Sequence, residues 1–299
     1  MSGWHGLLVA LVTPFSADGE SVDDGALRNL VEHIVTSGAH GLVACGSTGE
    51  FAAQTSAERR QVLESVLDQA AGRAPVLAHT GAMTTREAVA LSRHAEQAGA
   101  AGLMVVAPYY EPLSVEEIKT YYRDIAAAVA IDIMIYNLPV ATGVNLQPED
   151  IADLASQHPN IRYVKDTSGS FSQGTRLVHE YGDLVSTFVG EDTFYFAALV
   201  DGAGGSVNGA GNFIPAELVS IYESVQAGDT GAARREWDRV FPIMRFLVSG
   251  GYVTGVKAAL KHLGLPGGDP RAPIGRLSDA RAAELTDIME AFSRAKARV

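Results

Sequence analysis

Residues 75–107, PVLAHTGAMTTREAVALSRHAEQAGAAGLMVVA, contain the pattern of apolar and polar residues that is most informative about the fold. The segment opens and closes with short apolar runs, and the residues between them have helical periodicity. Thr84 and Glu87 fit the Ser/Thr-x-x-Glu capping box that begins helices, and Gly99 stands where a helix ends in a left-handed residue. The segment therefore predicts a strand, a helix and the next strand.

The same alternation continues along most of the chain. Apolar runs that favour strands occupy residues 7–15, 41–47, 75–80, 102–107, 131–138, 161–166, 185–189 and 204–207. They begin roughly 20–35 residues apart, which is the length of one βα unit. The runs are nearly continuous, without alternating polar residues, as in strands buried on both faces of a parallel sheet. Eight such units predict an α/β protein with a (β/α)8 TIM barrel.

An open, doubly wound sheet is the alternative fold for such a sequence. That fold usually has fewer strands, and its Gly-x-Gly-x-x-Gly signature does not follow the first strand here. After residue 227 the strand pattern stops, and residues 229–249, 252–263 and 278–298 have helical periodicity. We therefore predict a catalytic barrel at 1–227 and a C-terminal helical appendage at 228–299 that packs on it.

Composition restricts the possible partners and the compartment. Apolar residues make up 47% and charged residues 19% of the 299-residue chain, a globular balance that excludes disorder as its main state. The net charge of −12 argues against nucleic acid or an acidic membrane surface as a partner. No apolar run reaches the roughly 18 residues of a membrane-spanning helix. The single cysteine, Cys45, cannot form an internal disulfide, so we expect a cytoplasmic protein.

In a parallel barrel the active site lies where the strands end and the following loops begin. This rule selects Thr13, residues 46–50, His79, Tyr109, Tyr110, Tyr136, Asn137, residues 165–167, Glu191, Asp192 and Asn208. The eight histidines and Cys45 show no metal-ligand spacing, so no metal site is predicted.

Lys165 is the most informative of these candidates. It is the single lysine within a predicted strand, whereas the others lie in helical segments where a solvated ammonium is the simplest interpretation: Lys119, Lys257, Lys261 and Lys296. Burial disfavours the charged form of an amine, and a neutral amine can add to a carbonyl and form a Schiff base. The alternative is a buried ion pair with Asp166 or Asp192.

Two further groups suit the same chemistry. Residues 46–50, GSTGE, allow a tight turn whose amides and hydroxyls can hold a carboxylate or phosphate, although a plain glycine-rich turn is equally possible. Tyr136 ends the fifth predicted strand and could move protons as a general acid and base. Its alternative role is that of a core tyrosine.

Short motifs in a fixed order extend over nearly the whole chain. They are LVTPF at 11–15, GSTGE at 46–50, PYY at 108–110, YNLP at 136–139 with TG at 142–143, KD at 165–166 and VKAAL at 256–260. In this order they resemble the dihydrodipicolinate synthase/N-acetylneuraminate lyase family of pyruvate-dependent class I aldolases.

The resemblance implies a mechanism. The amine of Lys165 would attack the keto carbon of pyruvate or another 2-keto acid, and Ser47 and Thr48 would hold the carboxylate. Tyr136 would be the general acid and base. Tyr110 would reach across a subunit interface to complete a hydroxyl relay with Thr48 or Ser47 and Tyr136.

The resemblance also implies the remaining contacts. Gly190 and Val207 would lie at the pyruvate site, the assembly would be a homotetramer, and neither a metal nor an organic cofactor would be needed. The second substrate would be an aldehyde.

One departure from the family bears on that aldehyde. Dihydrodipicolinate synthases carry an arginine two residues after the proline of Tyr-Asn-x-Pro, where its fork binds a second carboxylate. Ala141 occupies this position, and an alanine cannot replace the charge. Arg162 or Arg176 could supply a carboxylate anchor from elsewhere.

Other residues favour a hydroxylated aldehyde. The segments GEF at 49–51, KDT at 165–167 and GNF at 211–213 resemble bacterial aldolases that act on 2-keto-3-deoxy sugar acids. Thr167, Glu191 and Asp192 could then bind the hydroxyls of a polyol tail. We therefore expect such an aldolase. The alternatives are dihydrodipicolinate synthase, N-acetylneuraminate lyase and a dehydratase or decarboxylase that uses the same imine. Outside this class stand a metal-dependent barrel enzyme and a non-catalytic 2-keto acid binding protein.

Overall fold

Eight parallel strands form a closed barrel in the computed structural model, which describes residues 3–296. The strands are β1 (Gly6–Ala10), β2 (Gly41–Ala44), β3 (Val76–His79), β4 (Gly102–Val106), β5 (Asp132–Asn137), β6 (Ile161–Asp166), β7 (Ser186–Val189) and β8 (Gly205–Asn208). Each strand pairs with the next, and β8 pairs with β1. The predicted (β/α)8 barrel is therefore confirmed.

Helices follow the strands along the chain. They are α1 (Asp24–Thr36), α2 (Ser56–Ala70), α3 (Thr85–Ala98), α4 (Val115–Ala128), α5 (Pro139–Thr142), α6 (Pro148–Gln157), α7 (Phe171–Tyr181), α8 (Tyr195–Asp201), α9 (Pro215–Gln226), α10 (Thr230–Val248), α11 (Tyr252–His262) and α12 (Asp279–Lys296). The three predicted C-terminal helices are α10, α11 and α12, and the predicted end of the last one falls outside the described residues. The division at residue 227 stays a prediction.

The predicted helix start at Thr84 differs from a full capping box. The Thr84 side chain accepts from the Glu87 amide, but the Glu87 carboxylate accepts a hydrogen bond from Ser56 Oγ at 2.6 Å instead of returning to the cap. A tertiary contact between α2 and α3 has thus replaced half of a local motif. The Ser114 box, in contrast, is complete.

The register of β5 and β6 places the site. Tyr136 pairs with Lys165 and Asn137 with Asp166, and successive side chains of a strand point to opposite faces. Tyr136 belongs to the apolar cluster that fills the barrel lumen, together with residues such as Met104 and Phe188. Lys165 therefore points into the lumen, at the C-terminal end of the barrel. Asp166 points outward to the helix layer.

Candidate active site

A cavity of about 320 Å³ opens at the C-terminal end of the barrel. Nine of the predicted site residues line it: Ser47, Thr48, Tyr136, Lys165, Thr167, Gly190, Glu191, Val207 and Asn208. They come from β5, β6 and β8 and from the loops after β2, β6 and β7. Residues distant in sequence thus meet at the strand ends, where a parallel barrel places its chemistry.

Lys165 is buried without an ion pair. Its side chain is 6% exposed, and Nζ lies 4.1 Å from the centroid of the Tyr136 ring. Within residues 3–296 no carboxylate lies at ion-pair distance from this amine. Asp166 Oδ1 instead accepts from Asn137 Nδ2 at 2.9 Å on the outer face of the barrel. The alternative of a structural ion pair for Lys165 is therefore not what the structure shows.

Gly190 makes room for this amine. A Cβ added at Gly190 would overlap Thr167 Oγ1 and would lie 2.7 Å from Lys165 Cε. The Gly190 amide also donates to the carbonyl oxygen of Asp166 at 2.8 Å, which fixes the loop against β6. Any side chain at this position would displace the lysine or the threonine.

The turn at residues 46–50 is held by its own backbone and by a buried ion pair. The amides of Gly49 and Glu50 donate to the carbonyls of Gly46 and Ser47, each at 3.0 Å. Glu50 has a left-handed backbone, with φ of 59°, and its Oε1 lies 2.5 Å from Lys257 Nζ. This turn presents Ser47 and Thr48 to the cavity.

Lys257 differs from the expectation of a solvated ammonium on a helix. It is only 2% exposed, and Nζ donates to the carbonyls of Thr13 at 2.9 Å and Asp269 at 3.0 Å. The amphipathic pattern of α11 could not show which polar side chain turns inward, because its partner Glu50 lies 207 residues earlier in the chain. The expectation for Lys257 was therefore wrong.

Tyr252 is a cavity residue that the sequence analysis missed. It opens α11 after two glycines, lines the cavity and donates from its hydroxyl to Asp192 Oδ2 at 2.5 Å. Its oxygen accepts from the Gly209 amide at 2.8 Å. Asp192 itself lies behind this tyrosine, 3% exposed, whereas Glu191 lines the cavity. The one available signal was the unusual Gly250-Gly251-Tyr252 junction between two helices.

Burial sets the protonation of these groups. Burial raises the pKa of Asp192 to about 7, while the Tyr252 hydroxyl and the Lys165 charge oppose the rise. Burial likewise raises the pKa of Tyr252 well above its usual value. The pKa of His79, buried behind the cavity near Tyr136, is lowered mainly by burial. His79 is therefore a neutral ring at neutral pH.

Three other predicted groups lie away from the cavity. Tyr110 is 80% exposed on the loop after β4 and does not line the cavity of its own chain. Arg162 binds Asp132 at 3.0 Å at the opposite end of the barrel, and Arg176 binds Glu149 at 2.6 Å on the helix layer. Neither arginine can anchor a substrate carboxylate in this cavity, so that expectation was wrong.

Among residues 3–296 no cluster of three or more His, Cys, Asp or Glu side chains is arranged to hold a metal ion. In the same part of the chain no helix combines the length and the hydropathy of a membrane span.

Comparison with known proteins identifies the family. A model of the dihydrodipicolinate synthetase family matches residues 4–292. The chain belongs to this family. Its members are class I pyruvate-dependent lyases, so the protein is an enzyme of that class, and the resemblance inferred from the motifs is confirmed.

Individual family members agree with this assignment. The 4-hydroxy-tetrahydrodipicolinate synthase of Syntrophobacter fumaroxidans is 36% identical over 290 residues, which cover 97% of this chain and 99% of the relative. The chloride-inhibited dihydrodipicolinate synthase from Acinetobacter baumannii, solved with pyruvate, is 30% identical with a TM-score of 0.94 and covers 97% of this chain and 99% of its own. YagE, a prophage family member from E. coli K12 also solved with pyruvate, is 29% identical with a TM-score of 0.93, and the coverage is 98% and 99%.

Proposed function

We propose that this aldolase forms an imine between Lys165 and pyruvate and joins it to, or releases it from, a neutral, hydroxylated aldehyde, as 2-keto-3-deoxy sugar-acid aldolases do. One observation carries the proposal: the buried amine of Lys165 has no carboxylate partner and faces Tyr136 at the closed end of a substrate-sized cavity. An amine that no carboxylate holds is free to add to a carbonyl carbon and form a Schiff base.

The residues around Lys165 support the pyruvate half of the reaction. The amine adds to the keto carbon, and loss of water then leaves the imine, which withdraws electrons from the neighbouring methyl group. The Tyr136 ring lies against Nζ, so its phenol is placed to move the protons of these steps. Ser47 and Thr48 offer hydroxyls to the carboxylate, and Val207 and Gly190 bound the space beside it.

The charges that line the cavity support a neutral aldehyde. Lys165 and Glu191 are the charged side chains that line it within the described residues, and Lys165 is consumed by the imine. Glu191 would repel a second carboxylate, but it is a good acceptor for hydroxyl donors. Thr167 Oγ1 is buried without a hydrogen-bond partner among the described residues and can serve the same hydroxyls.

A second candidate is 4-hydroxy-tetrahydrodipicolinate synthase, which condenses pyruvate with aspartate semialdehyde. The names of the relatives favour it over the sugar-acid aldolase. The absence of a positive charge for the second carboxylate argues against it. Ala141 stands where such synthases carry an arginine, and no arginine of the described chain lines the cavity.

We further propose that a homotetramer completes the site. Tyr110 is too exposed to act in its own subunit, and the large apolar cavity beside it, lined by Phe51, Tyr109 and Ile274, is suited to cover by another copy. Sedimentation analysis of the wild type and Tyr110→Phe tests this. A fully active monomer would contradict it.

Mass spectrometry after incubation with pyruvate and sodium borohydride tests the imine directly. One reduced pyruvyl group on Lys165 is the expected result, and an unmodified, folded protein would overturn the proposal. Turnover is then compared with pyruvate plus glycolaldehyde, D-glyceraldehyde or aspartate semialdehyde. Preference for aspartate semialdehyde would favour the second candidate over the first.

A further inference from the structure

We propose that Tyr252 is a second acid–base residue of the aldolase, which transfers a proton to or from the aldehyde oxygen, and that Asp192 is the positioning and proton-holding group behind it. The inference rests on the proposed function and adds a residue from the C-terminal helices to the reaction.

The contacts of Tyr252 determine what its oxygen can do. The hydroxyl donates to Asp192 Oδ2 at 2.5 Å, the length of a strong, charge-assisted hydrogen bond, and its oxygen accepts from the Gly209 amide at 2.8 Å. A phenol oxygen has one donor and two acceptor positions. Tyr252 lines the cavity that also contains Lys165, and we infer that the position left over is directed into it.

The proton on Asp192 therefore decides the character of Tyr252. When Asp192 is a carboxylate, the phenol donates to it and presents an acceptor to the cavity. When Asp192 is protonated, it can donate to the phenol oxygen, and the phenol hydrogen can then turn toward the substrate. Asp192 Oδ1 is buried without a hydrogen-bond partner among the described residues, so the Tyr252 contact is its route for proton exchange with the cavity.

The proton balance is simple. In condensation the enamine carbon bonds to the aldehyde carbon, and the carbonyl electron pair moves to oxygen. That oxygen takes the Tyr252 proton, and Tyr252 takes the proton of Asp192. Asp192 then regains a proton from cavity water through Tyr252, which offsets the methyl proton released when the enamine formed. Cleavage runs the same transfers in reverse.

The groups facing Asp192 permit this role near neutral pH. Tyr252 faces it from α11, Lys165 from β6 and Glu191 from its own loop. Burial raises the pKa of Asp192 to about 7, and the charge of Glu191 adds to the rise. Tyr252 and Lys165 lower this pKa, but by less than burial raises it. Both protonation states are thus available when the enzyme works.

The experiment compares Tyr252→Phe and Asp192→Asn with Tyr195→Phe. The control removes another buried phenol hydroxyl, which donates to the Leu218 carbonyl away from the cavity. Borohydride trapping with pyruvate measures imine formation, and steady-state kinetics use pyruvate with whichever of the three aldehydes the wild type turns over. The amount of imine trapped in Tyr252→Phe should stay within twofold of wild type. Its kcat should fall about 100-fold or more, the size of a general acid–base contribution.

The pH profiles provide a readout that a merely structural tyrosine would not change. Wild-type kcat for condensation should fall as pH rises through about 7, and kcat for cleavage should fall as pH drops through it. Asp192→Asn should lose this ionisation in both directions. The inference is overturned if Tyr252→Phe keeps kcat within twofold, if it loses imine formation in the same proportion as kcat, or if Asp192→Asn keeps the ionisation. Absence of an imine or of turnover in the wild type overturns the proposed function and the inference with it.

Discussion

Lys165 and Lys257 are both buried in this protein, but the distance from each amine to a carboxylate differs. Lys257 Nζ lies 2.5 Å from Glu50 and donates to two backbone carbonyls, so all of its hydrogen-bonding capacity is used. Lys165 has no such partner in the described chain, and one side of it is open to a cavity. Asp192 is near enough for the Lys165 charge to act on it, yet the two do not form an ion pair.

Under the proposed function, this difference separates a structural lysine, Lys257, from a reactive one, Lys165. An ammonium fixed by a carboxylate and two carbonyls cannot become a free nucleophile without breaking a buried ion pair. An amine that lacks a carboxylate partner loses less when it becomes neutral and attacks a carbonyl. The completeness of its hydrogen bonding, more than the depth of burial, indicates which lysine reacts.

The largest expected effect comes from Lys165→Ala. Without this amine the imine cannot form, so borohydride trapping with pyruvate should be abolished while circular dichroism shows a folded barrel. Lys261→Ala, which removes an exposed lysine, is the control and should trap pyruvate normally. An adduct that survives in Lys165→Ala would assign the chemistry to another amine and would contradict the contrast drawn between Lys165 and Lys257.

The next effect concerns the ring that lies against Lys165. Tyr136→Phe keeps the ring and removes the phenol, so pyruvate should still bind while kcat falls about 10²–10⁴-fold, the range of general acid–base catalysis. Exchange of the pyruvate methyl protons in D₂O, followed by NMR, measures the step independently of the aldehyde. Normal exchange and turnover would remove Tyr136 from the mechanism.

Lys257→Met tests the structural member of the pair. Removing one partner leaves Glu50 as a buried, uncompensated carboxylate, and the free energy of unfolding should fall by about 3–5 kcal/mol. Urea denaturation measures this change. The double variant Lys257→Met/Glu50→Gln should recover part of the loss, because it no longer buries an unpaired charge. A stability near that of wild type in the single variant would show that the ion pair is dispensable.

The fold and the centre of the site could be predicted because both follow from local patterns. Apolar runs and helix caps predict a barrel, and strand ends select Lys165, Tyr136 and the turn at 46–50. The ion pair of Lys257 and the contact between Tyr252 and Asp192 could not be predicted, since each joins elements far apart in the chain. Such pairs depend on how α11 packs on the barrel, which no local pattern encodes.

The smallest predicted effect is on the pH dependence of stability, and it tests whether Lys165 forms an ion pair with Asp192. Because the folded protein raises the pKa of Asp192 from 3.8 to about 7, it binds this proton more tightly than the unfolded chain does. The associated stability is fully present below pH 3.8 and is lost as pH rises from 3.8 to about 7, by at most about 4 kcal/mol in total. Asp192→Asn lacks this loss, so urea denaturation should show its stability rising relative to wild type between pH 5 and pH 7 and then levelling off. Asp183→Asn, at an exposed position, should track wild type throughout. A constant difference between Asp192→Asn and wild type would mean that Asp192 is already ionised at pH 5, held by Lys165 much as Glu50 is held by Lys257.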